Sequence, residues 1–424
     1  MTIKIYKGSN EIGGNSVELK TKNSTILLDY GTPLQKGSEQ VKIDTKIDAV
    51  LISHPHQDHF GAIDKLEDSI DIYCGELSLD LMNASLLFRG ENLLHNSFKT
   101  FQAWRSFEIG DFKITPYLVD HSATDAYAFL IEADNQRLLY SGDFRATGRK
   151  AKLFENMLKD KKLKAVDILV MEGTMLQRDN GEFPNEQSVE DKIYETLIEN
   201  NLLSFMIGSP LNIDSIVSAY RACVKADKIF VIDIYTAWVL QKMQKASKNI
   251  PSMSWKNVKV LRQASSGQYK KLQENQEYFG SFYNDVFKDN IKIEDIQNNP
   301  EKYFLKISTS AISRIIKSVD VKKSNIIYSQ WLGYLKEEFS SVRDAKIFQE
   351  LKEHNNWVYA HTSGHADLPT LQRFAKALKP KKIVPIHTEH KDKFRNHFDN
   401  VLLLDDNESY EIQTINKEKL KNEF

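Results

Sequence analysis

Cysteine is nearly absent from this chain, which has only Cys74 and Cys223 among 424 residues. Two cysteines exclude both a disulfide framework and a cysteine-rich zinc site. Any metal ion must therefore be bound by histidine and carboxylate side chains. This restriction directs attention to the 11 histidines of the sequence.

Long hydrophobic runs and a strong charge bias are also missing. No segment approaches the ~18 apolar residues that a transmembrane helix needs, and the start MTIKIYKGSN lacks the basic and apolar regions of a secretory signal. We therefore expect a cytoplasmic protein without a membrane partner. The formal net charge of -1 argues against a uniformly basic nucleic-acid-coating protein but is compatible with a local basic channel.

The order of predicted elements indicates an α/β protein with an insertion. The first third reads as short apolar strands separated by turns, which is typical of a largely antiparallel, sandwich-like region. From about residue 175 helical patterns alternate with strands, as in a parallel α/β sheet. After about residue 345 the chain returns to elements that carry new histidines. No internal repeat or low-complexity linker separates these parts, which favours an insertion over separate consecutive domains.

The stretch SHPHQDHFGA at 53–62 is the strongest chemical signal. Side chains alternate in an extended segment, so His54, His56 and Asp58 project to one side as they leave the strand, and His59 follows where a helix can begin. Four ligands at this spacing suit two ions better than one. Imidazole mixed with carboxylate fits borderline ions such as zinc. A polar surface loop is the alternative.

Further ligands are expected where apolar strands meet polar loops. His121 closes FKITPYLVDH, Asp143 closes QRLLYSGD and His387 closes KKIVPIH. A carboxylate such as Asp143 can bridge two cations. Taken singly, each of these residues has a capping or surface role as its alternative.

These motifs together resemble the metallo-β-lactamase family. HPHQDH matches its HxHxDH signature, and Asp29 in LLDYG, His121 in VDHS and Asp143 in SGDFR match its other motifs in order. The resemblance implies an αββα sandwich with two divalent ions, zinc in the first place and manganese as the alternative. It implies that Asp29 orients a ligand histidine by hydrogen bond. It further implies a first ion on His54, His56 and His121, a second on Asp58 and His59, and a bridge through Asp143.

Three downstream motifs resemble the β-CASP subgroup of that family, whose members are nucleases and include ribonuclease J. MEGTM contains Glu172, HTSGHA contains His365 and VPIHTEH contains His387, as in motifs A, B and C. The resemblance implies that His387 completes the second ion's ligands. It extends over nearly the whole chain, but no room is left for the extra C-terminal domain of ribonuclease J. The expected domains are 1–175, the first part of the metallo-β-lactamase domain; 176–345, the β-CASP insertion; and 346–424, the return with motifs B and C.

Catalytic and substrate contacts are expected from the same resemblance and from strand ends. Asp58, His365 and Glu172 are the expected catalytic residues, with Glu172 holding the His365 imidazole near the scissile phosphate. The end of a parallel strand is a common place for phosphate, but helix capping is the ordinary use of such serines. Aromatic residues stack on bases or pack in cores. The expected substrate contacts are Ser363, His365, Arg145, Arg149, Ser209, Ser308 and Ser329, and the stacking candidates are Trp238, Trp331 and Tyr334.

The sequence therefore predicts a metal-dependent nuclease that hydrolyses single-stranded RNA. A DNA nuclease of the same fold is one alternative, and a catalytically silent nucleic-acid-binding subunit is another, although the intact ligand set speaks against the latter. A small-molecule hydrolase is disfavoured by the large insertion. Endonuclease or 5′ exonuclease action and a homodimer both stay open.

Overall fold

The computed structural model describes residues 1–35, 37–263, 266–319, 321 and 323–413, and its strands form three sheets. The strands are β1 (Thr2–Lys7), β2 (Ser16–Lys20), β3 (Thr25–Leu28), β4 (Ala49–Leu51), β5 (Asp71–Gly75), β6 (Ser97–Phe101), β7 (Phe107–Ile109), β8 (Phe112–Leu118), β9 (Tyr127–Ala133), β10 (Gln136–Tyr140), β11 (Ile168–Glu172), β12 (Ser204–Ile207), β13 (Ile229–Ile232), β14 (Val258–Leu261), β15 (Asn290–Ile291), β16 (Tyr303–Lys306), β17 (Asn325–Tyr328), β18 (Asn356–Tyr359), β19 (Lys382–Ile386) and β20 (Ser409–Glu411). The α-helices are α1 (Gln57–Phe60), α2 (Ser78–Arg89), α3 (Lys152–Lys159), α4 (Glu186–Glu199), α5 (Ile213–Lys225), α6 (Ile234–Met243), α7 (Gly267–Glu274), α8 (Gln276–Phe279), α9 (Ser281–Asp285), α10 (Ile293–Asn298), α11 (Thr309–Val319), α12 (Val342–His354) and α13 (Leu368–Leu378). Short 3₁₀ helices cover Ile63–Lys65, Lys161–Leu163, Pro300–Lys302, Leu332–Leu335 and Lys391–Asn396. The mixed architecture confirms the predicted α/β fold class.

Two of the sheets face each other across one apolar core. Their strand orders are β20-β1-β2-β3-β4-β5-β6 and β19-β11-β10-β9-β8-β7. Inward residues of both, such as Ile3, Ile26 and Phe129, join one buried cluster, as expected when one face of each strand points to the core. Phe60 of α1 packs outside the first sheet and Phe154 of α3 outside the second. The arrangement is an αββα sandwich.

The expectation of a largely antiparallel first third was only partly correct. β1, β2 and β3 are antiparallel, as are β7 to β10. However, β3 to β6 run parallel, and β11 and β19 add to β10 in parallel. Parallel pairing needs long return connections, which α1 and α2 supply between β4 and β6. α1 has only four residues, and α2 is buried over most of its length, so neither shows the amphipathic period that indicates a crossover helix.

The third sheet is built from the middle of the chain, with the order β15-β14-β13-β16-β12-β17-β18 and parallel pairing throughout. One face packs against α4, α5 and α6, the other against α11 and α12. β18 lies beyond the expected boundary at residue 345, yet it pairs with β17. The sheet of the expected insertion thus reaches Tyr359, because α12 is the crossover that returns the chain to the sheet edge. The domain limits themselves stay a prediction.

The parallel strands of the sandwich bring the expected site residues to one edge. Asp29 directly follows β3 and His54 lies shortly after β4. In the second sheet, Asp143 lies three residues after the end of β10, Glu172 ends β11 and His387 directly follows β19. Because carboxyl ends of parallel neighbours share an edge, residues far apart in sequence meet there. Among the described helices, none has the length and apolar character needed to span a bilayer.

Candidate metal centre

Three imidazole rings converge beyond the ends of β4 and β8. His56 Nδ1 lies 3.2 Å from His54 Nε2 and 3.2 Å from His121 Nε2. The other nitrogen of His121, Nδ1, donates to the Gly364 carbonyl at 2.6 Å, which fixes the tautomer and leaves a lone pair on Nε2. Ser53 Oγ occupies the other side of His54, 3.0 Å from Nδ1. Three nitrogens thus face one point, as zinc ligands do.

A second group forms beside it from Asp58, His59 and His387. Asp58 Oδ2 lies 3.2 Å from His387 Nε2 and 3.9 Å from His59 Nε2. Thr174 Oγ1 approaches His387 Nδ1 at 2.7 Å, and Asp29 Oδ2 approaches His59 Nδ1 at 2.7 Å. Both histidines therefore present Nε2 toward the carboxylate. Residues separated by more than 300 positions meet in this group.

Asp143 lies between the two groups. Its Oδ2 is 3.1 Å from His59 Nε2 and 3.7 Å from His54 Nε2, and its Oδ1 is 3.7 Å from His387 Nδ1. Asp143 is 2% exposed, yet within the described chain neither of its oxygens, nor His59 Nε2, has a hydrogen-bond partner of normal geometry. A buried carboxylate without well-formed hydrogen bonds is costly. The donor set fits divalent ions that accept imidazole and carboxylate together. We refer to His54, His56, Asp58, His59, His121, Asp143 and His387 as the metal cluster.

The pKa shifts of the histidines in the metal cluster agree with a role as metal ligands. Burial lowers the pKa of His54 and His121 well below the ordinary value and that of His56 to about 4, so these rings are neutral, as ligands must be. Burial also opposes charge on His59, but the negative charges of Asp143, Asp29 and Asp58 outweigh it and raise its pKa. A proton on His59 compensates the carboxylates there, which is the role a cation would take.

Asp29 contacts the side of the His59 ring that faces away from the other ligands of the metal cluster. Its left-handed backbone, with φ of 59°, and full burial place the carboxylate at the start of the loop after β3. Besides contacting His59, it accepts hydrogen bonds from Ser53 N, Ser53 Oγ and the Tyr140 hydroxyl, each at 2.7 Å. This geometry is that of a residue orienting a ligand histidine. Ser53 and Tyr140 were not singled out in the sequence, where only their place beside the motifs pointed to them.

Glu172 joins β11 to the loop that carries His365. It is fully buried, its Oε1 accepts from Phe144 N and Ala366 N, and its Oε2 lies 3.2 Å from His365 Nδ1. The charges of Glu172 and Asp143 outweigh burial and raise the pKa of His365 to about 9. His365 is 20% exposed at its side chain and lies 3.6 Å from Asp143 Oδ2. It is thus a protonated imidazole at the open side of the metal cluster.

The remaining expected substrate contacts lie in varied settings. Ser363 Oγ accepts from His365 N in the same loop, and Arg149 pairs with Glu190 at 2.8 Å while half-buried. Ser209 Oγ accepts from Leu211 N, which is local turn bonding. The last two differ: Ser329 is buried against Ser215 Oγ at 2.9 Å, and Ser308 lines a cavity of about 210 Å³ at the edge of the third sheet. Contact of these side chains with substrate stays a prediction.

Arg145 requires a correction, because it is fully buried and cannot reach a substrate. Its guanidinium contacts Asp214 at 2.7 Å, Glu186 at 3.2 Å and Asp120 at 3.4 Å, and donates to the Ser363 carbonyl. We call Arg145 and its three carboxylates the arginine junction. It connects the third-sheet region, through Glu186 and Asp214, to the loop of His121. Arg145 positions these elements instead of binding substrate.

The three aromatic stacking candidates lie in different surroundings. Trp238 is 3% exposed and packs among Tyr278, Phe279 and Phe282, so the core interpretation holds for it. Tyr334, by contrast, belongs to the third-sheet region yet approaches the metal cluster: burial and the charge of Asp58 raise its pKa to about 12. Trp331 contacts Tyr334 edge-on, with ring centroids 5.4 Å apart. Stacking of either ring on a base stays a prediction.

Comparisons with known proteins agree with this geometry. Residues 25–193 match the beta-lactamase superfamily domain, and residues 358–402 match the Zn-dependent metallo-hydrolase RNA specificity domain. The chain is 26% identical to an RNase J-like protein of Methanocaldococcus jannaschii, covering 91% of this chain and 92% of that protein. It is 24% identical to ribonuclease J of Mycoplasma genitalium, covering 92% of this chain and 68% of the relative.

A solved structure agrees in fold. The crystal structure of a protein of unknown function from Enterococcus faecalis superposes with a TM-score of 0.75 at 19% identity, covering 96% of this chain and 99% of that one. The sandwich and its metal cluster define a metallo-hydrolase of the metallo-β-lactamase fold. Within that class the chain is similar to ribonuclease J and RNase J-like proteins over nearly its whole length.

Proposed function

We propose that this chain hydrolyses phosphodiester bonds of single-stranded RNA with two divalent metal ions, zinc or alternatively manganese. Its similarity to ribonuclease J-like proteins and to the Zn-dependent metallo-hydrolase RNA specificity domain supports a hydrolytic, metal-dependent ribonuclease. The number of ions, the hydroxide nucleophile and the single-stranded substrate are the proposal. The observation that carries it is the buried Asp143 carboxylate, which lies between two groups of converging imidazole nitrogens and forms no hydrogen bond of normal geometry in the described chain. A pair of cations at this place would satisfy the carboxylate and the nitrogens together.

Each ligand has a place in this proposal. His54, His56 and His121 would hold one ion, Asp58, His59 and His387 the other, and Asp143 would contact both. Such ions lower the pKa of a water to near 7, which supplies a hydroxide nucleophile, and they neutralise charge on the phosphate. Asp29 keeps the His59 ring oriented through its 2.7 Å contact.

His365 and Glu172 would act on the leaving side. The raised pKa of His365 keeps its imidazole protonated at neutral pH, so the ring can donate a hydrogen bond to the scissile phosphate or a proton to the departing 3′-oxygen. Glu172 holds Nδ1 and fixes the ring. Products with a 3′-hydroxyl and a 5′-phosphate follow. Ser363 and Arg149, near the same loop, are the proposed phosphate contacts.

The test compares matched 5′-labelled single-stranded RNA and DNA, each incubated with pure protein plus Zn²⁺ or Mn²⁺. The Asp58→Ala, His59→Ala double variant is the matched control, because it removes one carboxylate and one imidazole from the same ion. We expect RNA cleavage by the wild type and none by the variant. A ladder of products indicates endonuclease action, and early release of a labelled mononucleotide indicates 5′ exonuclease action.

Two outcomes would count against the proposal. Cleavage of neither nucleic acid by the wild type, or equal cleavage by the double variant, rejects the metal-dependent nuclease. Preferential cleavage of DNA would replace the proposed substrate with the DNA alternative.

A further inference from the structure

Lys306, the last residue of β16, is a buried cation without a partner. Its side chain is 1% exposed, and the described part of the chain offers its ammonium neither a hydrogen bond nor an ion pair. Burial lowers its pKa although Asp233 acts in the other direction. Asp233 itself is engaged elsewhere, accepting from Thr236 N and Gln268 Nε2. Fully buried lysines are rare unless paired, so an anion is missing here.

The elements around Lys306 favour an anion. Side chains alternate along β16, so Lys306 shares a face with Phe304, which packs in the cluster that includes the first residues of α5 and α6. These helices have 13 and 10 residues, and both begin at this edge of the sheet. Helix N-termini are positive and favour a negative group. At α6 this group is the capping carboxylate of Asp233, whereas α5 is capped by the neutral side chain of Asn212.

Gly208 lies beside Lys306. A Cβ at this position would lie 3.9 Å from Lys306 Cε and 3.4 Å from the Ser329 carbonyl oxygen. The chain runs outward from β12 to β13, β14 and β15, and then returns to insert β16 between β12 and β13. Ligands of parallel α/β sheets bind in the crevice at such a switch of direction. Lys306 lies at that crevice.

The loop beside Lys306 is paired with a loop of the metal cluster. The loop that follows Gly208 reaches Asn212, which forms a β-bridge with Ala123. Ala123 lies two residues beyond His121. The two regions are therefore joined by neighbouring loops.

We propose that Lys306, together with the N-terminus of α5, binds a backbone phosphate of the RNA strand other than the scissile one. The proposal rests on the proposed ribonuclease function and adds a second, metal-free phosphate site to it. The ligand is an internal phosphodiester, which presents two oxygens to the ammonium and to the backbone N–H groups.

The test measures binding of single-stranded RNA oligonucleotides that carry one neutral methylphosphonate linkage, moved along the strand. All proteins carry Asp58→Ala and His59→Ala, so that no RNA is cleaved. Lys306→Met is compared with Lys302→Met, which removes an exposed lysine just before the start of β16. We expect Lys306→Met to weaken binding about ten- to hundredfold, as loss of a charged hydrogen bond does, and to reduce the slope of log K against log salt by about 0.7.

A methylphosphonate at one linkage should weaken RNA binding by the protein that retains Lys306. The same methylphosphonate should not weaken binding by Lys306→Met any further, because the linkage change and the substitution remove the same contact. Lys306→Met should also resist urea at least as well as its parent, since an unpaired buried charge is lost; misfolding would have the opposite effect. Additive effects at every linkage, or coupling only to a 5′-terminal phosphate, would overturn the inference while leaving RNA cleavage by the wild type intact. Failure of that cleavage would remove the ribonuclease proposal itself.

Discussion

The metal cluster and the arginine junction are both buried sets of charged residues, but their partners differ. In the arginine junction one guanidinium contacts three carboxylates between 2.7 and 3.4 Å. In the metal cluster, the Asp143 oxygens have no hydrogen-bond partner in the described chain. Burial of charge is common to both, so burial alone does not identify a site. The partners differ instead: the carboxylates of the arginine junction share one guanidinium, whereas Asp143 faces several converging imidazole nitrogens.

Asp143→Asn should have the largest effect on activity. The amide keeps the size of the side chain but removes the charge between the two groups, so RNA hydrolysis should fall about a thousandfold or more, together with the zinc content measured by mass spectrometry. Asp64→Asn, at an exposed position, is the control. An unchanged zinc content in Asp143→Asn would contradict the place of Asp143 between the two groups of ligands.

Arg145→Met should act on the stability of the fold, whereas Asp143→Asn acts on hydrolysis and zinc content. Three carboxylates lose their shared cation, and breaking such a buried set costs about 3–5 kcal/mol of unfolding free energy. The measurement is urea unfolding of the metal-free protein. Arg89→Met removes an exposed pair with Glu91 and should cost less than about 1 kcal/mol. Equal effects of the two variants would mean that the arginine junction does not stabilise the fold.

The sequence predicted the metal cluster far better than the arginine junction, and the reason is physical. Four of the cluster ligands occur within six residues, and the others close apolar strands, so both spacing and strand ends signal them. Arg145 also follows a motif, but its partner Asp214 is 69 residues away and its burial depends on packing between the sandwich and the third sheet. No local pattern distinguishes a surface arginine from one enclosed by distant carboxylates. For the same reason Tyr140 and Thr174 were missed.

The parallel pairing of β3 to β6 was missed for a related cause. The crossover between β4 and β5 contains α1, which has only four residues. Such a short helix has no apolar periodicity that a sequence could display. Strand existence was therefore predictable, whereas strand direction depended on connections whose form is set by tertiary packing.

Asp29→Asn should have an intermediate effect on the metal cluster. Asparagine tolerates the left-handed backbone at this position, so the fold should persist, but the amide is a weaker acceptor for His59. Loss of a partner of this kind lowers metal affinity or activity about ten- to hundredfold. Zinc affinity, measured by competition with a chelator, reports this directly. Asp48→Asn changes an exposed aspartate that also accepts a backbone N–H, and should leave zinc affinity unchanged.

Glu172→Gln should have the smallest effect at neutral pH and the most specific signature. The pKa of His365 is raised to about 9 by Glu172 and Asp143, so a proton needed on His365 is present below that pH and lost as pH rises through it. Without the Glu172 charge the pKa falls, and the basic limb of the kcat profile should move to lower pH. Activity should therefore drop more at pH 8 than at pH 6, as measured across a pH series. Glu182→Gln, at an exposed position, should leave the profile in place. A uniformly lower profile with an unmoved limb would mean that Glu172, like Arg145, only holds loops together.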